Sequence, residues 1–143
     1  MEDHMPTILL VEDQPSVRLI LSAGLKAHGF QVMTAGTGEK ALAFCEGLEG
    51  PLDLLITDVG LSAPQQWTSA GTALAVVHGL ALARAAVKVR PSLKVILLTG
   101  HSDETLQRLG GKGGLGFPLL RKPCDVSVLV QTVREVLSTN DRT

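Results

Sequence analysis

Five side chains raise the chemical question: the adjacent pair Glu12 and Asp13, then Asp58, Thr99 and Lys122. Each stands at the end of a short apolar run. ILLV leads into Glu12-Asp13, LDLLIT into Asp58, KVILL into Thr99, and FPLL into Arg121-Lys122-Pro123. Clustered carboxylates repel one another and raise each other's pKa unless something positive lies between them. An oxygen-only set with few protein ligands suits Mg²⁺, a hard cation that keeps several waters and often shares a phosphate. Lys122 would supply a second positive charge on the other side of Asp58. A carboxylate held in this way is well placed to attack phosphorus. The same positive groups would stabilise charge on the phosphoryl oxygens in the transition state.

Distant residues need elements that bring them together. The apolar runs alternate with segments of helical period, the pattern of an α/β fold: a doubly wound parallel sheet with helices on both faces. The predicted strands are Ile8–Val11, a weaker Gln31–Ala35, Leu52–Thr57, Lys94–Thr99 and Phe117–Leu120. In such a sheet the strand C-terminal ends share one edge, where ligands bind. Pro15 suits a first helical position, and Val17, Ile20, Leu21 and Leu25 follow at helical spacing to a stop at His28-Gly29. Thr37 can cap a second helix over about Gly38 to Leu48. Asp125 can cap the last one, striped by Val126, Leu129, Val133, Val136 and Leu137. A short helix after Ser102-Asp103 dissolves into RLGGKGGLGF, whose glycines match no Walker spacing and read as a loop.

Composition narrows the class. The chain has 143 residues, 45% of them hydrophobic and 19% charged, which reads as a single globular domain with an aliphatic core. A net charge of −1 without a basic cluster argues against a nucleic-acid surface. No segment reads as a signal peptide or a membrane span, and Cys45 and Cys124 form no metal-ligand pattern. Cys45 reads as a packing residue, and a cytoplasmic location is expected.

The motifs VED at Val11–Asp13, LLITDVGL at Leu54–Leu61, ILLTG at Ile96–Gly100 and RKP at Arg121–Pro123 resemble, in order, those of response-regulator receiver domains. These are the CheY-like domains of two-component signalling. The resemblance implies a five-stranded flavodoxin-like sheet of order 2-1-3-4-5. It implies that Asp58 is the phospho-acceptor, that Asp13 binds Mg²⁺ directly, and that Glu12 acts mainly through a metal-bound water. The backbone carbonyl of Gly60 would complete the protein's share of the metal shell. Thr99 would bond the new phosphoryl group, Lys122 would contact one of its oxygens, and the bond before Pro123 would be cis. The implied phosphodonor is a histidine kinase or histidine phosphotransfer protein, with an unknown downstream protein as the other partner. No enzymatic activity is expected beyond the chain's own phosphorylation and dephosphorylation.

Three departures accompany the resemblance. Ser62 stands where the family usually has proline. The stretch SAPQQWTSAGTALAVV, over 62–77, reads as an insertion of roughly a dozen residues. A long loop through Trp67 and an N-terminal extension of the third helix are expected there. At the position where the family often has Tyr or Phe, Leu119 stands with Phe117 nearby, so an aromatic rotamer switch is in question. Arg121 reads as a surface charge, His101 as a residue of the site rim or the plain surface, and 139–143 as a frayed tail. A domain spanning about 7–138 leaves no room for an output domain, so a stand-alone response regulator serving as messenger, sink or relay is expected. The alternatives are a pseudo-receiver acting as a binding module, which the insertion keeps open, and a haloacid-dehalogenase-type phosphatase. The latter requires an Asp-x-Asp nucleophile on the first strand, where this chain has Glu12-Asp13.

Overall fold

The computed structural model describes residues 5–59, 78–99, 117–122 and 124–138. Its elements run β1 (Thr7–Val11), α1 (Pro15–Ala27), β2 (Gln31–Ala35), α2 (Gly38–Gly47), β3 (Leu54–Asp58), α3 (His78–Val89), β4 (Lys94–Thr99), β5 (Leu119–Arg121) and α4 (Val126–Ser138). The strands form one parallel sheet in the order β2-β1-β3-β4-β5, as the resemblance implied. Three strands differ in their bounds from the expectation. The first starts one residue earlier, at Thr7. The third strand starts two residues later and runs through Asp58, and the fifth holds Leu119–Arg121 rather than Phe117–Leu120. Apolar character does not register where ladder pairing stops, and Asp58 still pairs in register with Leu98.

The apolar strands are explained by burial on both faces. Leu9, Val11, Leu55, Val95 and Leu97 enter one core layer with residues of α2 and α3. Ile8, Leu10, Leu54, Ile56, Ile96 and Leu98 point the other way, into a second layer with α1 and α4. This alternation is the period of two of a strand with both sides covered. Each large aliphatic side chain so buried contributes about 1.5–3 kcal/mol by leaving water. Cys45 is a fully enclosed member of the first layer, as its reading as a packing residue implied.

Helix ends follow local chemistry. α1 begins at Pro15, where a missing N–H costs nothing, and His28 closes it with its backbone N–H on the Leu25 carbonyl. The Thr37 side chain accepts the Lys40 N–H at 3.1 Å and caps α2. α4 starts directly after Asp125, whose carbonyl accepts the Leu129 N–H at 3.0 Å. The 62–77 insertion with Ser62 and Trp67, the helix after Ser102-Asp103, His101, the bond before Pro123 and the 139–143 tail lie outside the described residues. Among the described residues, no helix is long and apolar enough to cross a membrane.

Candidate functional site at the strand C-terminal edge

β1 ends where the sequence turns from ILLV to acids, and the chain there is held by its neighbours. The Glu12 N–H extends the ladder by one bond, to the Ala35 carbonyl at 3.1 Å. Pro15 opens α1 three residues later. In this short turn the Glu12 side chain is fully buried and the Asp13 residue half-buried. β3 delivers Asp58 beside them, 8% exposed. One carboxylate oxygen from each of Glu12, Asp13 and Asp58 lies within 4.8 Å of the others.

Lys122 binds this cluster from the far side. It follows β5, and its backbone N–H donates to the Thr99 carbonyl at 2.8 Å, which ties it to the end of β4. Its ammonium donates to Asp58 Oδ2 at 2.7 Å and to Glu12 Oε1 at 3.0 Å. Glu12 Oε2 accepts the Gln14 N–H at 3.2 Å, so both oxygens of this buried carboxylate are bonded. Arg121, one residue earlier, is exposed, as neighbouring strand residues facing opposite ways require.

The charges respond to one another. Burial pushes the Glu12 carboxyl above its ordinary value, although the hydrogen bonds from Lys122 and Gln14 pull it down. For Lys122, burial alone would depress the ammonium. The hydrogen bonds it donates to Asp58 and Glu12, with their charges, outweigh it and raise the pKa. The cation therefore stays charged in a partly desolvated place.

Thr99 is fully buried as the last residue of β4, one position past Leu98, the register partner of Asp58. Phe117 and Leu119 pack against the α2–α3 core layer. Gly60 lies outside the described residues. Sequence reasoning thus named four side chains that the fold brings into one cluster, with Thr99 on the adjoining strand end.

Two further residues act through the backbone. Gly79, near the start of α3, donates its N–H to the Val59 carbonyl at 2.8 Å. A Cβ there would stand 1.7 Å from the Asp58 carbonyl oxygen, so only glycine lets the helix approach the strand end this closely. Arg18, between Val17 and Ile20 on α1, is partly buried. Its Nη1 donates to the Glu12 carbonyl at 2.8 Å. A basic residue one turn past an acid pair, beside the helical apolar stripe, was the only signal available.

The donor set fits a hard divalent cation. Three carboxylates of which two are largely shielded from water, with one ammonium among them, form an oxygen-only cluster that a cation sharing waters with a phosphate would complete. Asp13 and Asp58 would hold the ion, with Glu12 behind them already bonded at both oxygens.

Comparison with known proteins agrees with this edge. The response regulator receiver domain family matches residues 8–134, and the chain belongs to that family. It is 32% identical over 136 residues to the sensor kinase CckA of Brucella abortus, covering 94% of this chain and 13% of the kinase. It is 30% identical over 136 residues to the transcriptional regulatory protein AruR of Pseudomonas aeruginosa, covering 93% of this chain and 50% of the regulator. The chain therefore spans half or less of these two relatives. Among solved structures, a response regulator receiver protein from Sinorhizobium medicae superposes with a TM-score of 0.75 at 22% identity, over 96% of this chain and 98% of that one. The receiver domain of the hybrid histidine kinase CckA gives a TM-score of 0.68 at 29% identity, over 92% and 99%.

Proposed function

We propose that Asp58 accepts a phosphoryl group from a histidine kinase or histidine phosphotransfer protein, in a reaction that depends on Mg²⁺. The observation that carries this reading is the Lys122 ammonium bridging Asp58 and the buried Glu12, with an Asp13 oxygen within 4.8 Å of the other two carboxylates. An Asp58 carboxylate oxygen attacks the phosphorus of the donor phosphohistidine. An O–P bond forms as the N–P bond breaks, and the electron pair leaves with the imidazole, which takes up a proton. Mg²⁺, when bound, neutralises charge on the phosphoryl oxygens. Lys122 holds one Asp58 oxygen before the reaction and follows the phosphoryl oxygens as charge develops on them. Thr99, buried at the neighbouring strand end, supplies a hydroxyl to the product.

The site's chemistry is confined to making and hydrolysing this acyl phosphate, and the signalling output is altered binding of a downstream protein. Because Lys122 is tied through its backbone to Thr99, a change at Asp58 reaches β5 and its surface directly. A cytoplasmic location suits the two free thiols, Cys45 and Cys124.

The test is intact-mass spectrometry after incubation with acetyl phosphate, with and without Mg²⁺, beside Asp58→Asn. One added phosphoryl group, absent from the variant and in the metal-free sample, is the expected result. A wild-type chain that binds Mg²⁺ yet gains no mass from acetyl phosphate or a phosphorylated phosphotransfer domain would replace the reading with that of a binding module.

A further inference from the structure

The Glu12–Asp13 peptide lies just past the last register pairs of β1, Val11 with Ala35 on one side and Val11 with Thr57 on the other. Beyond that point the sheet no longer dictates the backbone direction, yet Asp13 must be aimed at Asp58 for the two to share an ion. Arg18 reaches back from the first turns of α1 and donates Nη1 to the Glu12 carbonyl at 2.8 Å. Its guanidinium lies against the bare Cα of Gly36, in the turn between β2 and α2. A Cβ on that glycine would stand 2.9 Å from Nη1 and 3.6 Å from Cζ. The Glu12 N–H is held by the Ala35 carbonyl, and the Glu12 carbonyl by Arg18. The peptide unit is planar, so fixing its carbonyl fixes the direction in which the chain enters Asp13.

From this we infer that Arg18 is a positioning residue for the metal platform: it sets the orientation of Asp13, and with it the affinity for Mg²⁺, without touching the ion. The inference rests on the reading of Glu12, Asp13 and Asp58 as a Mg²⁺ site. It has a sign that separates it from a simple effect of charge. Removing a nearby cation would, by relief of Coulomb repulsion alone, strengthen the binding of a second cation. Loss of an orienting contact weakens it, because Mg²⁺ demands near-ideal octahedral geometry. Groups hydrogen-bonded to a metal's ligands are typically worth 10–100-fold in affinity, and Arg18 acts one peptide further out.

The experiment is a Mg²⁺ titration followed by thermal unfolding, since an ion that binds only the folded chain raises Tm with concentration. It compares wild type with Arg18→Met, which keeps the aliphatic stem, and Arg18→Lys, which keeps a cationic donor. Metal-free unfolding curves verify that each variant folds. Arg18→Met is expected to bind Mg²⁺ about tenfold more weakly, the lower end for such partners, and Arg18→Lys to recover part of that loss. Binding by Arg18→Met that is unchanged or tighter would overturn the positioning role, as would a lysine variant no better than methionine. A wild-type chain whose Tm ignores Mg²⁺ would instead overturn the metal reading itself, and this inference with it.

Discussion

Lys122 and Arg90 stand at opposite edges of the same sheet, and each draws several chain segments together. At the C-terminal edge, Lys122 places one flexible ammonium between two carboxylates, Glu12 and Asp58, both drawn out of water. At the N-terminal edge, Arg90 follows α3 and spreads a rigid guanidinium over three backbone carbonyls. Nε donates to Cys45 at 2.8 Å, Nη1 to Gly50 at 3.0 Å and Nη2 to Leu48 at 2.5 Å. Those carbonyls belong to the end of α2 and the connection that follows it, where helical acceptors lack partners of their own. The fork of an arginine matches fixed acceptors, whereas a lysine is a point charge that can move among oxygens. One end keeps fixed partners; under the proposed phosphoryl transfer the other would exchange them.

The sharpest way to break this comparison is to remove each cation while keeping its stem. Lys122→Met is expected to slow phosphorylation by acetyl phosphate about 10²–10³-fold, the usual cost of a lost charge-stabilising donor, as read from intact-mass time courses. Arg90→Met is expected to leave that rate within about twofold while losing about 2 kcal/mol of stability in urea titrations, because hydrogen bonds from a charged donor are the stronger kind. If Arg90→Met cut the rate as deeply as Lys122→Met, the two edges would not be separable.

Gly79 tests whether the reactive edge also depends on close packing. In Gly79→Ala the added carbon meets the Asp58 carbonyl and Val59 Cα, backbone atoms that cannot step aside cheaply. A loss of about 1–3 kcal/mol is expected, the usual cost of overpacking, together with slower phosphorylation, because the displaced strand end carries Asp58. Wild-type stability and rate in this variant would show that α3 does not constrain the site.

The site was far more legible in the sequence than the supports around it. Asp58, Lys122 and the acid pair announce themselves by residue type at the ends of apolar runs, and parallel-sheet topology forces those ends together. The bonds that orient the acid pair run between side chains and backbone, Arg18 to the Glu12 carbonyl and Gln14 N–H to Glu12 Oε2, as do those of Arg90 to three carbonyls at the far edge. A backbone carbonyl has no residue letter, so sequence reading cannot see its partner. Strand ends slipped for a related reason. The LDLLITD run is apolar from Leu52, but pairing with β4 begins at Leu54, where Leu54 sits opposite Lys94.

A pH series sharpens the account of Lys122 from another direction. Its partners raise the ammonium's pKa in the folded chain above the ordinary 10.5 of the unfolded one. The stability it contributes is therefore fully present below 10.5 and is lost as pH rises through the higher folded value. The stability difference between wild type and Lys122→Met should stay level through neutral pH and shrink on the alkaline side as the ammonium titrates. A difference that already vanished between pH 6 and about 8 would mean that the ion pair does not hold the folded state together.

The smallest effect expected comes from Gly36→Ala, and it bears on how the reactive edge is aimed rather than charged. The new methyl would stand 2.9 Å from Arg18 Nη1, the far end of a flexible side chain that can move away at little cost to stability. In moving, it would stretch or lose its bond to the Glu12 carbonyl. Gly36→Ala should therefore weaken Mg²⁺ binding less than Arg18→Met does, with unfolding in metal-free buffer close to wild type. Combined with Arg18→Met it should add nothing further, because the two changes remove the same contact and so cannot be additive. Additive losses would mean that Gly36 acts on the acid pair by a route independent of the guanidinium. Aim would then be shared between two turns, and Arg18 would be one support among several.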